Sequence, residues 1–464
     1  MEGRDQDEGI PRENVKGRTQ SRVSLPSNLV RVNEAARKDK RTRFTSLLHH
    51  VSVASLERAF LRAKRRAAPG VDGEMVASYE EGLQEKLADL CERVHTGRYR
   101  PWPVRRVNIP KPDGGTRPLG VPALEDKILQ SAVAEVLSAI YEVDFLGLSY
   151  GFRPRRGPHD ALSSLHRAVM SQHVNWVIDA DIRSFFDSVD HEWLMRMLEH
   201  RIADRRVLAL IRKWLKAGVL DGGEWKETES GTPQGSGISP ILANIFLHYV
   251  LDLWFQRWRQ RSGCGRVVMV RYCDDFVMGF ADRVDAEQMV VDLKERLAKF
   301  GLRLHEEKTR LIEFGRLPSL RRAARGEPRC ETFAFLGFTH YCARTRDGRF
   351  VMKRKTESRR MCRKLKVVRQ ELRRQMHSPT AVQHRWLLGV LRGHYAYYGL
   401  SSNHAAMSTF RYAVVFAWYC VLRRRSQRSL GWTRFVRILD QHPLPNPTIT
   451  RPHVPWQLSL GLPS

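Results

Sequence analysis

The sequence predicts an α+β fold, a sheet built largely of hairpins with helices on one face, rather than a doubly wound parallel sheet. Three observations carry this. Strand-like runs and helical patterns alternate irregularly, turn-forming residues join neighbouring strands into hairpins, and the last quarter becomes helical and strongly basic. With 464 residues, 42% of them hydrophobic, the chain is long enough for two or three domains with a sizeable core.

In chain order, residues 1–27 are polar and lack periodicity, and read as a flexible leader. Helical patterns follow to about residue 98, interrupted by Ala67-Ala-Pro-Gly-Val-Asp-Gly73, a loop by composition. Residues 104–110 alternate like a strand and run into a hairpin turn at Lys111-Pro-Asp-Gly-Gly-Thr-Arg117, after which a helix extends from near Leu124 to near Tyr141. Residues 174–182 form a mostly buried strand. Ser239 as N-cap and Pro240 at the first helical position open a long helix. Two strands flank Cys273-Asp274-Asp275 as a hairpin. Asp285 then caps a helix with apolar residues at 286, 289, 290, 293, 297 and 300, stopped by Gly301. Another hairpin turns at Asp347-Gly348, and helical pattern resumes from Thr356. The expected domains are therefore 28–345, mixed, and 346–464, helical and basic.

Charge narrows the function. Lys and Arg number 79 against 50 Asp and Glu, a net charge of +29, and residues 341–464 alone hold 24 against 4, a net of +20. So one-sided a segment repels itself unless a polyanion binds it. Interleaved aromatics (Trp386, Tyr395, Tyr397, Tyr398, Trp418, Trp432) make that polyanion a nucleic acid. A membrane surface fits less well, because the cations are not confined to one amphipathic helix, and no apolar run approaches the roughly 20 residues of a span. The seven cysteines include no Cys-x-x-Cys pair and no zinc spacing, and the N-terminus is polar. A cytoplasmic protein with reduced thiols is expected.

Asp274 and Asp275 sit inside the apolar run Val268–Phe280, where an ionised carboxylate must be paired or must hold a metal. A second acidic stretch, Asp179-Ala-Asp181-Ile-Arg-Ser-Phe-Phe-Asp187, ends a strand. If Asp181 faces Asp274, the converging carboxylates repel one another unless divalent cations lie between them. Mg²⁺ suits such hard oxygen donors, with Mn²⁺ as a substitute, and two ions about 3.5–4 Å apart serve in-line displacement at phosphorus. Singly, each acid has a plainer reading: a surface turn for Asp274-Asp275, a helix cap for Asp181, and more so for Asp187 or Asp190.

Taken together, the motifs resemble those of group II intron-encoded reverse transcriptases with maturase function. Tyr272-Cys-Asp-Asp-Phe276 is similar to the family's Tyr-Ala-Asp-Asp motif, with Cys for Ala, and Asp181-Ile-Arg-Ser-Phe-Phe-Asp187 to its first catalytic-aspartate motif. Ser230-Gly-Thr-Pro-Gln-Gly-Ser-Gly-Ile-Ser-Pro-Ile-Leu-Ala-Asn244 is similar to its Gln-Gly motif. Ile109–Gly120, Ser149-Tyr-Gly-Phe-Arg-Pro154, Glu307-Lys-Thr309 and Phe335-Leu-Gly-Phe338 follow the family's order.

The resemblance implies a right-hand polymerase, with fingers and palm followed by a helical thumb (domain X), that copies RNA into DNA and helps its intron splice. It implies Asp181, Asp274 and Asp275 as catalytic metal ligands, joined by the carbonyl of Ile182. Lys111, Arg117, Phe186, Gln234 and Lys308 would contact the nucleotide. Phe335, Leu336, Gly337 and Phe338 would grip the primer. Lys353, Arg354, Lys355, Arg359, Arg360, Arg363, Lys364, Arg423, Arg424 and Arg425 would bind RNA. The aromatics of Gly393-His-Tyr-Ala-Tyr-Tyr-Gly399, similar to a thumb motif, are expected to pack helices more than to stack bases. The implied partners are group II intron RNA, an RNA template with a DNA primer, dNTPs and target DNA. No Cys-pair or His-Asn-His endonuclease elements follow the thumb motif. A retron-type or defence-associated reverse transcriptase and a splicing-only maturase are the alternatives.

Overall fold

The computed structural model describes residues 26–110, 115–171, 173–221, 224–226, 231–232, 235–261, 267–425 and 430–451. They form two compact units, one ending at Lys353 and one beginning at Arg354.

The first unit opens with helices α1 (Ser27–Lys38), α2 (Val53–Arg62), α3 (Val76–Glu80) and α4 (Leu83–His95). Strands β1 (Val104–Pro110) and β2 (Thr116–Val121) pair antiparallel, followed by α5 (Leu124–Tyr141) and α6 (Pro158–Ser171). Then come β3 (Trp176–Asp181), α7 (His191–Glu199), α8 (Arg205–Leu215), β4 (Val219–Asp221) and β5 (Glu224–Lys226). The first sheet has the order β2-β1-β4-β5, and its β1–β4 pairing is parallel because the chain returns through four helices.

The second sheet positions the acids. After α9 (Ser239–Leu247) and α10 (Leu253–Arg261) come β6 (Val268–Tyr272), β7 (Asp275–Phe280), α11 (Arg283–Ala298) and β8 (Arg310–Glu313), giving the order β6-β7-β3-β8. β7 is central and buried throughout from Phe276 to Phe280. Phe276, Met278 and Phe280 join the core that α9 and α11 cover, each side chain contributing about 1.5–3 kcal/mol by burial. Val177, Val277 and Ile312 are buried too. Alternation along β3 and β7 puts Val177 and Val277 on the other face, so that side is not bare either.

Two helix starts differ from the sequence reading. Ser239 is the first helical residue, not the cap, and Ile238 holds the cap position. The entry is fixed one step earlier, where Gln130 Oε1 accepts from Ser236 Oγ (2.7 Å) and Gly237 N–H (3.1 Å). At α11 the cap position is Asp282, and Asp285 lies inside the first turn, where an acid still favours the helix dipole. The predicted stop at Gly301 has φ +73°. The long helix from Ser239 is also broken by a π-helical turn at His248–Asp252, between α9 and α10.

The chain continues through α12 (Arg316–Ala324), β9 (Phe333–Phe335), β10 (Phe338–Arg344) and β11 (Phe350–Thr356), a three-stranded sheet in the order β11-β10-β9. β11 alternates with Met352, Arg354 and Thr356 inward. Arg354, expected to meet RNA, is therefore buried, and burial lowers its pKa to about 10; it leaves the set of solvent-facing cations.

The second unit holds α13 (Ser358–Arg374), α14 (Thr380–Tyr398), α15 (His404–Arg423) and α16 (Trp432–Gln441). Leu365, Val368 and Leu372, spaced along one face of α13, meet Leu387, Leu391 and Tyr395 of α14 and Phe410 and Trp418 of α15 in one core. Trp418 Nε1–H donates to Gln383 Oε1 at 2.8 Å, satisfying a polar group that burial would penalise. With a mean hydropathy of 1.3 over its most apolar stretch, the Ser401–Arg423 segment is apolar and long enough to cross a bilayer, unlike the sequence expectation. Its apolar side chains include the buried Met407, Phe410, Val414 and Trp418 of this core. Arg359, Arg360, Arg363 and Lys364 stand exposed on α13, and Arg423 and Arg424 at the end of α15.

Candidate active site

The β6–β7 hairpin pairs Tyr272 with Asp275, leaving Cys273 and Asp274 as a two-residue turn. Tight hairpin loops need positive φ, and Cys273 supplies it at +61°. For a non-glycine residue this stores strain, which persists only where the surroundings hold the backbone in place. Cys273 is buried, and burial, reinforced by Asp274, pushes its thiol well above the usual range.

β3 pairs with β7 so that Asp181 faces Asp275 directly. Opposed residues of an antiparallel pair lie about 4.5–5.5 Å apart at Cα and project to the same face. The register alone thus brings the acid of one strand beside the acidic turn of another. Asp179, two residues back on β3, shares the face of Asp181. Its pKa is pushed up to about 6, chiefly by burial and also by Asp181, with Arg310 (3.5 Å) offsetting part.

A positive charge already stands here. Lys308 Nζ lies 2.8 Å from Asp181 Oδ2, and its segment is anchored by His305 N–H donating to the Asp181 carbonyl at 2.8 Å. Among the described residues, no three metal-ligating side chains converge as a ready cage. The donor chemistry nonetheless fits a hard divalent cation: Asp181, Asp274 and Asp275 are carboxylates on adjoining backbone positions, and the Asp181 side chain is one-third exposed.

The turn is held from behind by residues to which the sequence reading gave no role. Arg271 on β6 is fully buried, as is Asp252, and its Nε–H donates to Asp252 Oδ1 at 2.7 Å. Arg271 Nη1–H also donates to the Cys273 carbonyl (3.0 Å) and to Asn244 Oδ1 (3.2 Å), while Asn244 Nδ2–H donates to the Gly151 carbonyl (2.7 Å). Gly151 packs against the turn so closely that a Cβ there would lie 2.4 Å from the Cys273 nitrogen. The sequence signals for this support were an arginine inside an apolar strand beside the two acids and the presence of Gly151 and Asn244 in two of the motifs.

The other expected site residues are placed as follows. Phe186 is almost buried, its ring edge-on to Phe185 at 5.4 Å, and its carbonyl accepts from Thr232 N–H at 2.7 Å. The stretch that carries the Gln-Gly motif thus lies against the loop after β3. Gln234 and Lys111 lie outside the described residues, and Arg117 is described only as backbone, opposite Ile109 on β1. The Ile182 backbone bridges to Leu304. Leu336 and Gly337 form the tight β9–β10 turn between the paired Phe335 and Phe338, with φ +49° and +80°. Asp190 caps α7, accepting from Trp193 N–H at 2.8 Å. In the helical unit His394 and Tyr395 are buried.

Residues 109–340 match the family model described as reverse transcriptase (RNA-dependent DNA polymerase). The chain is similar to protein YkfC of Escherichia coli (strain K12), 37% identical over 254 residues, which cover 49% of this chain and 67% of that protein. It is also similar to the group II intron-encoded protein LtrA of Lactococcus lactis subsp. cremoris, 42% identical over 175 residues, 37% of this chain and 29% of that one. An uncharacterized 91 kDa protein in the cob intron of Schizosaccharomyces pombe is 46% identical over 36% of this chain and 21% of its own length. The matches thus span less than a third of both these intron-encoded relatives.

Proposed function

Because the chain belongs to the reverse transcriptase (RNA-dependent DNA polymerase) family, we propose that it copies RNA into DNA and acts as the maturase of a group II intron. The observation that carries the catalytic reading is the register of β3 on β7, which sets Asp181 opposite Asp275 at the root of the turn bearing Asp274.

Asp181, Asp274 and Asp275, with the Ile182 carbonyl, would hold paired Mg²⁺ ions. When bound, such ions lower the pKa of the primer hydroxyl and neutralise charge on the leaving oxygen. The 3′-hydroxyl gives its proton to solvent water as its oxygen bonds to the α-phosphorus of a dNTP, the bond to pyrophosphate breaks, and the primer grows by one nucleotide. The protein's part is alignment. Arg271 and Gly151 hold the acidic turn, Phe186 flanks the nucleotide's sugar, and the Leu336–Gly337 turn supports the primer. Lys308, whose Nζ lies 2.8 Å from Asp181 Oδ2, would give a proton to the departing pyrophosphate.

The exposed cations Lys355, Arg359, Arg360, Arg363, Lys364, Arg423 and Arg424 would meet the phosphates of intron RNA, a mode that weakens steeply with salt. Purified protein given a DNA primer on an RNA template, dNTPs and Mg²⁺ is expected to extend the primer, and to speed splicing of the intron RNA that flanks its gene. Absence of extension with splicing intact would leave a splicing-only maturase. Extension without any effect on splicing would remove the maturase half.

Gly151→Ala tests the support of the turn. The added Cβ forces Cys273 aside, and a shift near 1 Å at a reacting centre costs on the order of 10²-fold in rate. The expected result is that loss in single-turnover extension with RNA affinity unchanged; a wild-type rate would show that the turn tolerates the displacement.

A further inference from the structure

A second groove lies in the first unit, away from the acids. β7 runs from Asp275 at the acidic turn to Phe280, about 17 Å at roughly 3.4 Å per residue, and Trp258 packs edge-on to Phe280 at 6.2 Å. Here a hollow of about 480 Å³ is lined by Trp254, Arg257, Trp258 and Arg261 of α10 and Arg296 of α11. It shares His200, Tyr249 and Leu253 with an adjoining hollow of about 510 Å³ that reaches Lys40 and Arg41. The two make one trough.

Its construction is local. The π-helical turn before α10 exposes carbonyls, and Arg296 answers two of them, donating to Val250 O (2.9 Å) and Tyr249 O (3.1 Å). Trp254, Arg257, Trp258 and Arg261, spaced three and four apart, then share one helix face.

The charge on Arg257 and Arg261 is uncompensated. Arg257 and Arg261 make no ion pair among the described residues, and besides burial it is Arg257 that disfavours the charge on Arg296. The nearby acids are already taken. Asp292 accepts from Trp258 Nε1 (2.7 Å) and Gln288 Nε2 (2.7 Å), and Asp144 pairs with Arg201 (3.0 Å). Asp144 lines the adjoining hollow beside Lys40, which leaves Arg257 and Arg261 as the cations without an acid, and such cations form an anion site.

Rings interleave with these cations. His200 and Tyr249 stack at 5.3 Å, 28° between planes, and Trp254 is half-buried. Alternating rings and cations suit single-stranded nucleic acid, whose bases are free to stack. A duplex offers phosphates but keeps its bases out of nucleotide-sized hollows.

We propose that this trough holds a single-stranded segment of RNA outside the copying cleft, with bases on Trp254 and the His200–Tyr249 pair and phosphates on Arg257, Arg261, Lys40 and Arg41. It rests on the reading of the chain as an RNA-copying protein.

The test crosslinks the full chain to single-stranded RNA carrying photoreactive thiouridine and maps the attached peptides. Crosslinks are expected on α10 and around His200. Arg257→Glu with Arg261→Glu, and separately Trp254→Ala, should lose them and weaken retention of long RNA about tenfold. Primer extension on a short template should keep its wild-type rate, and Trp254→Phe should restore the crosslinks. Crosslinks confined to other segments, unchanged retention by the variants, or equal competition by duplex RNA would overturn the proposal. Failure of the wild-type chain to copy RNA would instead overturn the reverse-transcriptase reading, with the crosslink map still deciding the trough.

Discussion

Asp274→Ala is expected to lower primer extension by about 10³-fold, the upper end of what removing one preorganised charge-stabilising group costs, while the melting temperature changes little. The acid lies in the two-residue turn between Tyr272 and Asp275, with Asp181 facing Asp275 across the sheet. Its carboxylate meets the neighbouring Cys273 and also stands close to two other acids, so the contact it gives up and the like-charge repulsion it relieves offset one another, and its removal damages the chemistry more than the fold. Single-turnover extension, read beside thermal unfolding of the same preparations, checks both halves. Extension within tenfold of wild type would remove Asp274 from the reaction, and a large drop in melting temperature would make its role structural.

Asp252→Ala should produce the opposite pattern. It strands the guanidinium of Arg271 in an interior where both partners are fully buried, and breaking such a pair by removing one member costs about 3–5 kcal/mol. The melting temperature of the catalytic unit should fall by several degrees, on the order of 5–10 °C. Replacing both members by apolar residues, Arg271→Met with Asp252→Leu, should recover much of that stability, since no charge is left unpaired. Copying should stay impaired in the double variant, because the bond from Arg271 to the Cys273 carbonyl is gone. Recovery of both stability and copying would show that the buried pair holds the fold but not the turn. Together the two substitutions separate the residues that react from those that position them.

The elements were readable where local patterns were strong. The strand at 104–110, the helix from Leu124 to Tyr141 and the hairpin around Cys273-Asp274 lie where the periodicities place them. The misplacements at Ser239 and Asp285 are small, and each arises where a distant or neighbouring group competes with the local cap signal. Arg354 misled for a simple reason: a basic run looks uniformly solvated until strand alternation turns one member inward.

What the sequence determined by itself is the inventory: which carboxylates exist, which turns carry them, and which quarter of the chain is most basic. Turn chemistry and alternation act over a few residues, so they can be read without coordinates. Only the tertiary structure decided that Asp181 meets Asp275, that Lys308 reaches Asp181, and that Arg271 with Asp252 braces the turn through Asn244 and Gly151. Those partners lie many residues apart, and strand register and core packing, which have no local signature, bring them together.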